Sequence, residues 1–315
     1  MVELAIMIEG QNGLTWPRWQ RMVAAAEDFG YSGLFRSDHF TNASPPDRES
    51  LECWVSLTWL ASHTRRIEFG PLVTPVSFRH PAITARMAAA VDDLSGGRLI
   101  LGLGAGWQER EHHNFGFDLL GMKARFDRFE EGVKVVKHLL TGDQPVDFEG
   151  KYFQLHEAIL LPRPARPGGP PILIGGAGWN RTLPLAARYA QHWNAVMQPP
   201  ERFAELNRRL DELLLSAGRE PGAVVRSMMV GCVFGKTEDE VARRVTARTR
   251  GQRSAAELRE RGLIVGGPGE MVDQLCRLAE AGAQRIMLQW LDLDDLDGLE
   301  TIAARVLPQL VTPDN

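Results

Sequence analysis

Short apolar runs alternate with longer amphipathic stretches along almost the whole chain. The apolar runs predict eight β-strands, at residues 2–8, 33–35, 67–73, 99–103, 172–174, 193–197, 224–234 and 285–290. Apolar residues at helical spacing follow each run, as between Trp19 and Phe29, where the stripe stops at Gly30. Eight alternations favour an α/β fold of the (β/α)8 TIM-barrel type over an open doubly wound sheet, which usually has fewer strands and an early phosphate loop. The sequence therefore predicts one barrel domain over residues 1–315.

Two stretches interrupt this alternation. A loop at residues 115–123 separates the fourth strand from its helix, and a charged, mostly helical excursion at residues 237–262 follows the seventh strand. We therefore expect small insertions after strands 4 and 7. A hairpin is predicted at residues 146–155. The proline-rich residues 162–171 predict a stiff connector and not a domain boundary, because a strand and a helix follow in the same rhythm.

The composition excludes several classes of protein. The chain is 44% hydrophobic and 24% charged, with a formal net charge of -4, and it has no basic cluster, so we expect no nucleic-acid partner. Cys53, Cys232 and Cys276 lack a Cys-x-x-Cys spacing, which argues against a disulfide framework or a zinc site. No apolar run reaches membrane length and no basic leader precedes the first strand, so we expect a cytoplasmic protein that does not associate with membranes.

In a TIM barrel the functional site lies at the carboxyl ends of the strands. That rule predicts a single ring of site segments, at residues 8–9, 37–39, 71–73, 104–107, 175–178, 194–197 and 289–290. A ring built from several distant segments suits the binding of a small-molecule substrate.

Two of these strand ends are rich in glycine. Gly102, Gly104 and Gly106 follow one strand, and residues 175–178 follow another just before a helix begins. Glycine lets a backbone approach a flat ligand closely, and a helix start favours phosphate, so the two segments predict a site for a large planar anion. The glycines could instead serve only to form a tight corner. A dinucleotide fingerprint is not supported, because the third glycine at the opening of a helix is missing.

Asp38 and His39 place an acid and a titratable imidazole at the end of the second strand. Histidine suits proton transfer near neutral pH, and Glu109 is a second candidate; either Asp38 or His39 could also simply stabilise the loop, and Glu109 could lie on a solvated helix face. The neighbouring residues 112–113 are two histidines, but the spacing of a metal-binding His pair is absent, so we expect no metal. No Gly-x-Ser-x-Gly motif supports a covalent hydrolase.

Several motifs, taken together and in order, resemble those of the bacterial luciferase-like monooxygenase superfamily, and in particular its branch of coenzyme F420-dependent oxidoreductases. They lie at residues 37–40, 70–75 with 79–81, 97–111, 125–131, 152–153, 171–176 and 186–190. The resemblance covers nearly the whole chain and implies a (β/α)8 barrel whose strand ends hold a flavin or deazaflavin.

The resemblance also implies positions for the cofactor. The ring would lie against a bulge at the end of the third strand, which in the family often contains a non-proline cis peptide; His39 would lie near its reactive face, and residues 175–178 would approach the ribityl or phosphate tail. The predicted cofactor-binding residues are Asp38, His39, Pro71, Leu72, Val73, Gly104, Ala105, Gly106, Trp107, Gly175, Gly176, Ala177 and Gly178.

The sequence departs from the relatives that oxidise a sugar phosphate. Those relatives carry a proton-donating Glu where this chain has Trp107, and a Trp where it has Ala43. Their Thr-Ser-Gly after the sixth strand is replaced by Val-Met-Gln at residues 196–198. The departures argue against a sugar phosphate as substrate.

We therefore hypothesise an oxidoreductase that transfers a hydride between coenzyme F420 and a small organic substrate, with His39 and Glu109 as candidate catalytic residues. An FMN-dependent monooxygenase that uses reduced flavin and O2 is the alternative, and a non-catalytic relative that only binds flavin is a third possibility. The resemblance also implies a homodimer.

Overall fold

The computed structural model describes residues 2–310. Twelve strands are found there: β1 Glu3–Ile8, β2 Gly33–Arg36, β3 Glu68–Pro71, β4 Thr74–Pro75, β5 Leu101–Gly104, β6 Val146–Glu149, β7 Gln154–Ala158, β8 Ile172–Gly175, β9 His192–Val196, β10 Val225–Phe234, β11 Ile264–Gly266 and β12 Arg285–Gln289. The helices of the same residues are α1 Trp16–Asp28, α2 Cys53–His63, α3 Pro81–Ser95, α4 Glu109–Phe115, α5 Met122–Thr141, α6 Thr182–Tyr189, α7 Pro200–Ser216, α8 Glu238–Thr249, α9 Ala255–Glu260, α10 Pro268–Glu280, α11 Leu296–Arg305 and α12 Leu307–Leu310.

The main sheet is parallel and closes on itself. Its strands follow the order β3-β2-β1-β12-β10-β9-β8-β5-β4, and in the middle of this path Ile6 pairs with Leu34 on one side and Leu288 on the other. A parallel bridge between Phe69 and Leu99 joins the two ends. Since β3 and β4 are two pieces of one interrupted strand, the ring has the eight strand positions of a TIM barrel, and the fold prediction is confirmed.

Alternation along each strand divides the barrel core into two layers. The inward layer is small and contains Ala5, Met7, Phe35, Ile100, Leu173, Met229 and Met287. The outward side chains, such as Leu4, Ile6 and Ile8 of β1, pack against the surrounding helices in a much larger cluster. Strands buried on both faces read as continuous apolar runs, which is why the strands were visible in the sequence.

Both insertions are present. After β5 the chain forms the short helix α4 and a loop before α5, and after β10 it forms α8, α9 and the short strand β11. Strand β11 pairs with the end of β10, where Cys232 lies beside Ile264. Strands β6 and β7 form a separate antiparallel hairpin, as predicted.

Three local details differ from the sequence prediction. The third strand is broken between Pro71 and Thr74; residues 109–115 form a separate short helix ahead of the predicted loop; and the final helix is divided into α11 and α12. No helix within residues 2–310 has the length and apolar character needed to cross a membrane.

Candidate active site

A cavity of about 490 Å³ lies at the carboxyl ends of the barrel strands. We call it the barrel cavity. Its wall contains Met7, Glu9, Gln11, Ser37, His39, Leu72, Val73, Pro75, Gly104, Ala105, Gly106, Trp107, Glu111, Met122, Arg125, Phe126, Gly175, Gly176, Thr182, Asn194, Val196 and Met229. These residues come from seven of the eight strand positions and the loops after them, and from α4, α5 and α6, so distant segments meet at one place.

Most of the predicted cofactor-binding residues line this cavity. Those that do are His39, Leu72, Val73, Gly104, Ala105, Gly106, Trp107, Gly175 and Gly176. The predicted residues outside its wall are Asp38, Pro71, Ala177, Gly178 and the catalytic candidate Glu109. Neither residue of the last predicted ring segment lines this cavity: Gln289 hydrogen-bonds the lining residue Glu9, and Trp290 lines a different cavity.

The bulge between β3 and β4 projects into the barrel mouth. The Leu72–Val73 peptide bond is cis and does not involve proline, as the resemblance implies. A Cβ atom added to Gly104 would lie 2.4 Å from Val73 Cγ2, and one added to Gly175 would lie 3.0 Å from Val73 Cγ1. These two glycines therefore make room for Val73, whereas the sequence reading had assigned that space to the ligand.

His39 and Glu111 form a buried pair in the cavity wall. His39 Nδ1 lies 2.7 Å from Glu111 Oε1, and the second carboxylate oxygen accepts the backbone N–H of Phe40 at 3.0 Å. Glu111 is only 1% exposed. Burial alone would lower the pKa of His39, but the hydrogen bond and charge of Glu111, with the charges of Glu9 and Asp38, outweigh it and raise the pKa above its ordinary value of 6.5.

The carboxylate beside His39 belongs to Glu111 and not to Glu109, the carboxylate that the sequence analysis named as a catalytic candidate. Both lie in the first turn of α4, but successive residues of a helix turn by about 100°, so side chains two positions apart face nearly opposite directions. Glu109 is exposed on the outside and Glu111 is buried against His39. The carboxylate beside His39 is therefore that of Glu111, and Glu109 lies outside the cavity wall.

Asp38 points away from the cavity and into the protein. It accepts hydrogen bonds from Thr74 Oγ1 and from Arg79 Nη1, the second at 2.5 Å. Arg79 also binds Glu52 at 2.8 Å. Asp38 therefore ties the loop after β2 to β4 and to the segment that follows it, and it lies outside the cavity wall, whereas its sequence neighbour His39 is part of that wall.

The polar groups deep in the cavity form one network. Glu9 accepts hydrogen bonds from Gln11 Nε2 at 2.9 Å and from Gln289 Nε2 at 2.7 Å. Ser37 donates to Gln11 Oε1 at 2.6 Å and accepts the backbone N–H of Gly10. Each of these side chains already has a partner, so the network is held in place before any ligand binds.

At the opposite wall the chain passes from β8 into α6. Gly176 has a backbone φ of +118°, which glycine adopts readily and other residues rarely do. Its N–H donates a hydrogen bond to the Asn194 carbonyl at 2.8 Å. That N–H is therefore not free to bind a phosphate. Thr182, the first residue of α6, reaches the cavity wall, so a ligand phosphate would meet the start of this helix.

The size and lining of the cavity suit a flat organic ligand. Ligand pockets usually enclose about 300–1,000 Å³ and combine apolar walls with a few fixed polar groups. Here Met7, Leu72, Phe126 and Met229 supply apolar surface, and the polar groups are those described above. Within residues 2–310 no group of three His, Cys, Asp or Glu side chains could hold a metal ion.

The sequence profile described as luciferase-like monooxygenase matches residues 6–263. The chain belongs to this luciferase-like family. The family prediction is therefore confirmed by a match that extends over most of the chain, from the second half of β1 to the residue before β11.

Two relatives and one solved structure show what the chain is similar to. The F420-dependent glucose-6-phosphate dehydrogenase of Intrasporangium calvum is 28% identical over 319 residues, which cover 90% of this chain and 92% of the relative. The 4-hydroxyprotoasukamycin monooxygenase of Streptomyces nodosus subsp. asukaensis is 33% identical, but the match covers 56% of this chain and about half, 46%, of that enzyme. A solved F420-dependent secondary alcohol dehydrogenase, in complex with an F420-acetone adduct, superposes with a TM-score of 0.85 at 20% identity and covers 99% of both chains, which supports the fold.

Part of the cavity wall was not predicted as a site. These residues are Met7, Gln11, Pro75, Glu111, Met122, Arg125, Phe126, Thr182 and Met229. Glu111, Arg125 and Phe126 lie within motifs that carry the family resemblance, and that signal could have identified them. Arg125 donates to the Leu120 carbonyl at 3.0 Å and so fixes the loop before α5, whereas Met7 and Met229 are recognisable only once the inward face of each strand is known.

Proposed function

We propose that this protein is an oxidoreductase that transfers a hydride between coenzyme F420 and a small organic substrate in the barrel cavity. The observation that carries the proposal is the buried His39–Glu111 pair, with its raised histidine pKa, in the wall of a largely apolar cavity. The names of the dehydrogenase relatives support the choice of cofactor.

When bound, the deazaflavin supplies the hydride chemistry, and the protein supplies position and electrostatics. The backbone bulge at Leu72 and Val73 would hold one side of the ring, with Gly104, Ala105 and Gly106 beside it. Thr182, at the start of α6, would hold the polar tail, with Gly176 beside it. The apolar side chains around the mouth would exclude water from the reacting atoms.

His39 would hold or move the proton that accompanies the hydride. Its Nδ1 is bound to Glu111, so Nε2 is the ring nitrogen available to the cavity. Glu111 fixes the orientation of the ring and stabilises its protonated form, and a carboxylate behind a histidine is a recurrent means of both. His39 is therefore the proposed proton donor or acceptor, and Glu111 is the residue that positions it.

Trp107 is part of the barrel cavity wall next to His39. It is 61% exposed, and its ring lies edge-on to the His39 ring with centroids 5.7 Å apart. An apolar indole at this position cannot donate or accept a proton as a carboxylate would, so the proposal favours a substrate whose proton is handled by His39 alone.

The first test is a spectral titration of the purified protein with coenzyme F420 and with FMN, followed by an anaerobic reaction with candidate alcohols and carbonyl compounds. We expect tight binding of F420, anaerobic turnover, and loss of turnover but not of binding in His39→Asn. If neither cofactor binds, the proposal is wrong. Tight binding of FMN, with one oxygen atom of O2 in the product, would instead establish the monooxygenase alternative, which the Streptomyces relative supports.

We further propose that the enzyme acts as a homodimer in the cytoplasm. Val55 on α2 and Ile83 and Leu94 on α3 are large apolar side chains more than half exposed, and such side chains on adjacent helices suit an interface between two copies. Light scattering of the wild type and of Ile83→Asp tests this assembly: a dimer that becomes a monomer supports it, and a monomeric wild type contradicts it.

A further inference from the structure

A second cavity, of about 510 Å³, lies beside the barrel cavity at the same end of the barrel. It is bounded by the end of β10, by α8 of the insertion, and by the residues that follow β12. Three arginines, Arg48, Arg244 and Arg248, are part of its wall, and we call it the arginine cavity. Its wall shares no residue with that of the barrel cavity.

The three arginines reach the cavity from two distant parts of the chain. Arg48 lies in the loop after β2 and hydrogen-bonds Asn12 Oδ1 at 3.2 Å. Arg244 and Arg248 lie one turn apart on α8, a spacing at which like charges repel. Arg244 is neutralised by Glu240 at 2.7 Å and Asp295 at 2.5 Å. Among residues 2–310, Arg48 and Arg248 form no ion pair.

The charge of Arg248 is poorly compensated. Its side chain is partly buried, and this burial lowers the pKa of the guanidinium. The neighbouring Cys232 thiol cannot supply a negative charge, because burial raises its pKa to about 12. Asp292 contributes a carboxylate to the wall, but its side chain is exposed. A partly buried cation of this kind is stabilised when an anion binds beside it.

Trp290 contributes its indole ring to the same wall. The side chain is 3% exposed, so it is a fixed part of the wall. Phe234 and Leu291 give the cavity an apolar side next to its cationic one.

We propose that the arginine cavity binds the phosphate group of a small organic phosphate. Arginine guanidinium groups match phosphate oxygens in planar, two-pronged hydrogen bonds, and the apolar side would contact the organic part of the ligand. The insertion at residues 237–262 has a small positive balance, with seven arginines and five acidic residues. This site is independent of the cofactor in the barrel cavity.

Calorimetric titration of the cofactor-free protein with inorganic phosphate and with phenyl phosphate, at low chloride, tests the proposal. We expect one site that prefers phenyl phosphate. Arg248→Gln should weaken binding about ten- to a hundredfold, because it removes a charge-assisted hydrogen bond. Arg243→Gln is the matched control: Arg243 is exposed on the same helix outside the cavity wall, and its loss should change the affinity less than about twofold.

Hydrogen exchange of the wild type locates the site even if Arg248→Gln does not fold. Phenyl phosphate should protect α8 and residues 290–292. Absence of binding, equal weakening in both variants, or protection confined to the start of α6 would each overturn the proposal. Absence of binding or equal weakening would leave the cofactor proposal untouched, because the two cavities share no wall residue. Protection confined to the start of α6 would place the phosphate in the barrel cavity, which overturns the present proposal and leaves the proposed function standing.

Discussion

Replacing Glu111 with glutamine tests the electrostatic centre of the proposed site. Glutamine keeps the length of the side chain and can still accept the Phe40 N–H, but it removes the negative charge that faces His39 at 2.7 Å. Glu109→Gln is the matched control, because Glu109 lies on the same helix with its side chain exposed. A difference between the two variants therefore reports the contact with His39.

The expected effect follows from the burial of the pair. A hydrogen bond to a charged group contributes about 1.5–3 kcal/mol, so Glu111→Gln should lower the free energy of unfolding by about that amount when His39 is protonated. Because folding raises the His39 pKa above 6.5, this contribution is complete below 6.5 and declines as the pH rises through the folded-state value. The cost of the substitution should therefore be smaller in alkaline solution than in acid.

Urea unfolding of the wild type and both variants, at about pH 5 and about pH 9, measures this dependence. An NMR titration of the His39 ring gives a second readout, in which Glu111→Gln should lower the apparent pKa and Glu109→Gln should leave it unchanged. If the Glu111 variant loses equal stability at both pH values, or if His39 titrates as in the wild type, the assigned role of Glu111 is wrong.

Two further predictions concern Gly104, which packs against Val73 of the bulge, and Asp38, which pairs with Arg79. Gly104→Ala should lower the free energy of unfolding, measured in urea, by about 1–3 kcal/mol, because the new Cβ would lie 2.4 Å from Val73 Cγ2. Gly121→Ala is the control and should be nearly neutral, because a Cβ at that position would have no atom within 4 Å. Equal stability of the two would contradict the packing argument. Asp38→Asn should cost about 3 kcal/mol by removing the charge opposite Arg79, yet leave the F420 dissociation constant unchanged, because Asp38 lies outside the cavity; a marked loss of affinity at undiminished stability would refute its placement.

The architecture could be predicted from sequence because parallel strands buried on both faces leave a strong local signal. Apolar runs such as residues 2–8 and 285–290 stand out between polar helices, and eight of them restrict the choice of fold. The convergence of His39, Gly104 and Gly176 on one cavity then follows from the rule that the carboxyl ends of barrel strands meet at one face.

The side-chain detail could not be predicted because it depends on helix phase and on long-range packing. The sequence of α4 has no apolar stripe, so its helical phase is invisible and Glu109 and Glu111 look equivalent. From the sequence, Gly104 and Gly175 were expected to leave room for a ligand. In the structure the space beside each of them is occupied by a methyl group of Val73, which is roughly 30 residues from Gly104 and roughly 100 residues from Gly175 in the chain. Such contacts become visible only in the folded structure.

The most direct test of the central claim is a crystal structure of the protein with coenzyme F420. The account predicts density for the deazaflavin ring in the barrel cavity, between the Leu72–Val73 peptide and His39, with the tail running toward Gly176 and Thr182. Density for the ring at any other site, or a barrel cavity that stays free of the coenzyme at saturating concentration, would contradict it.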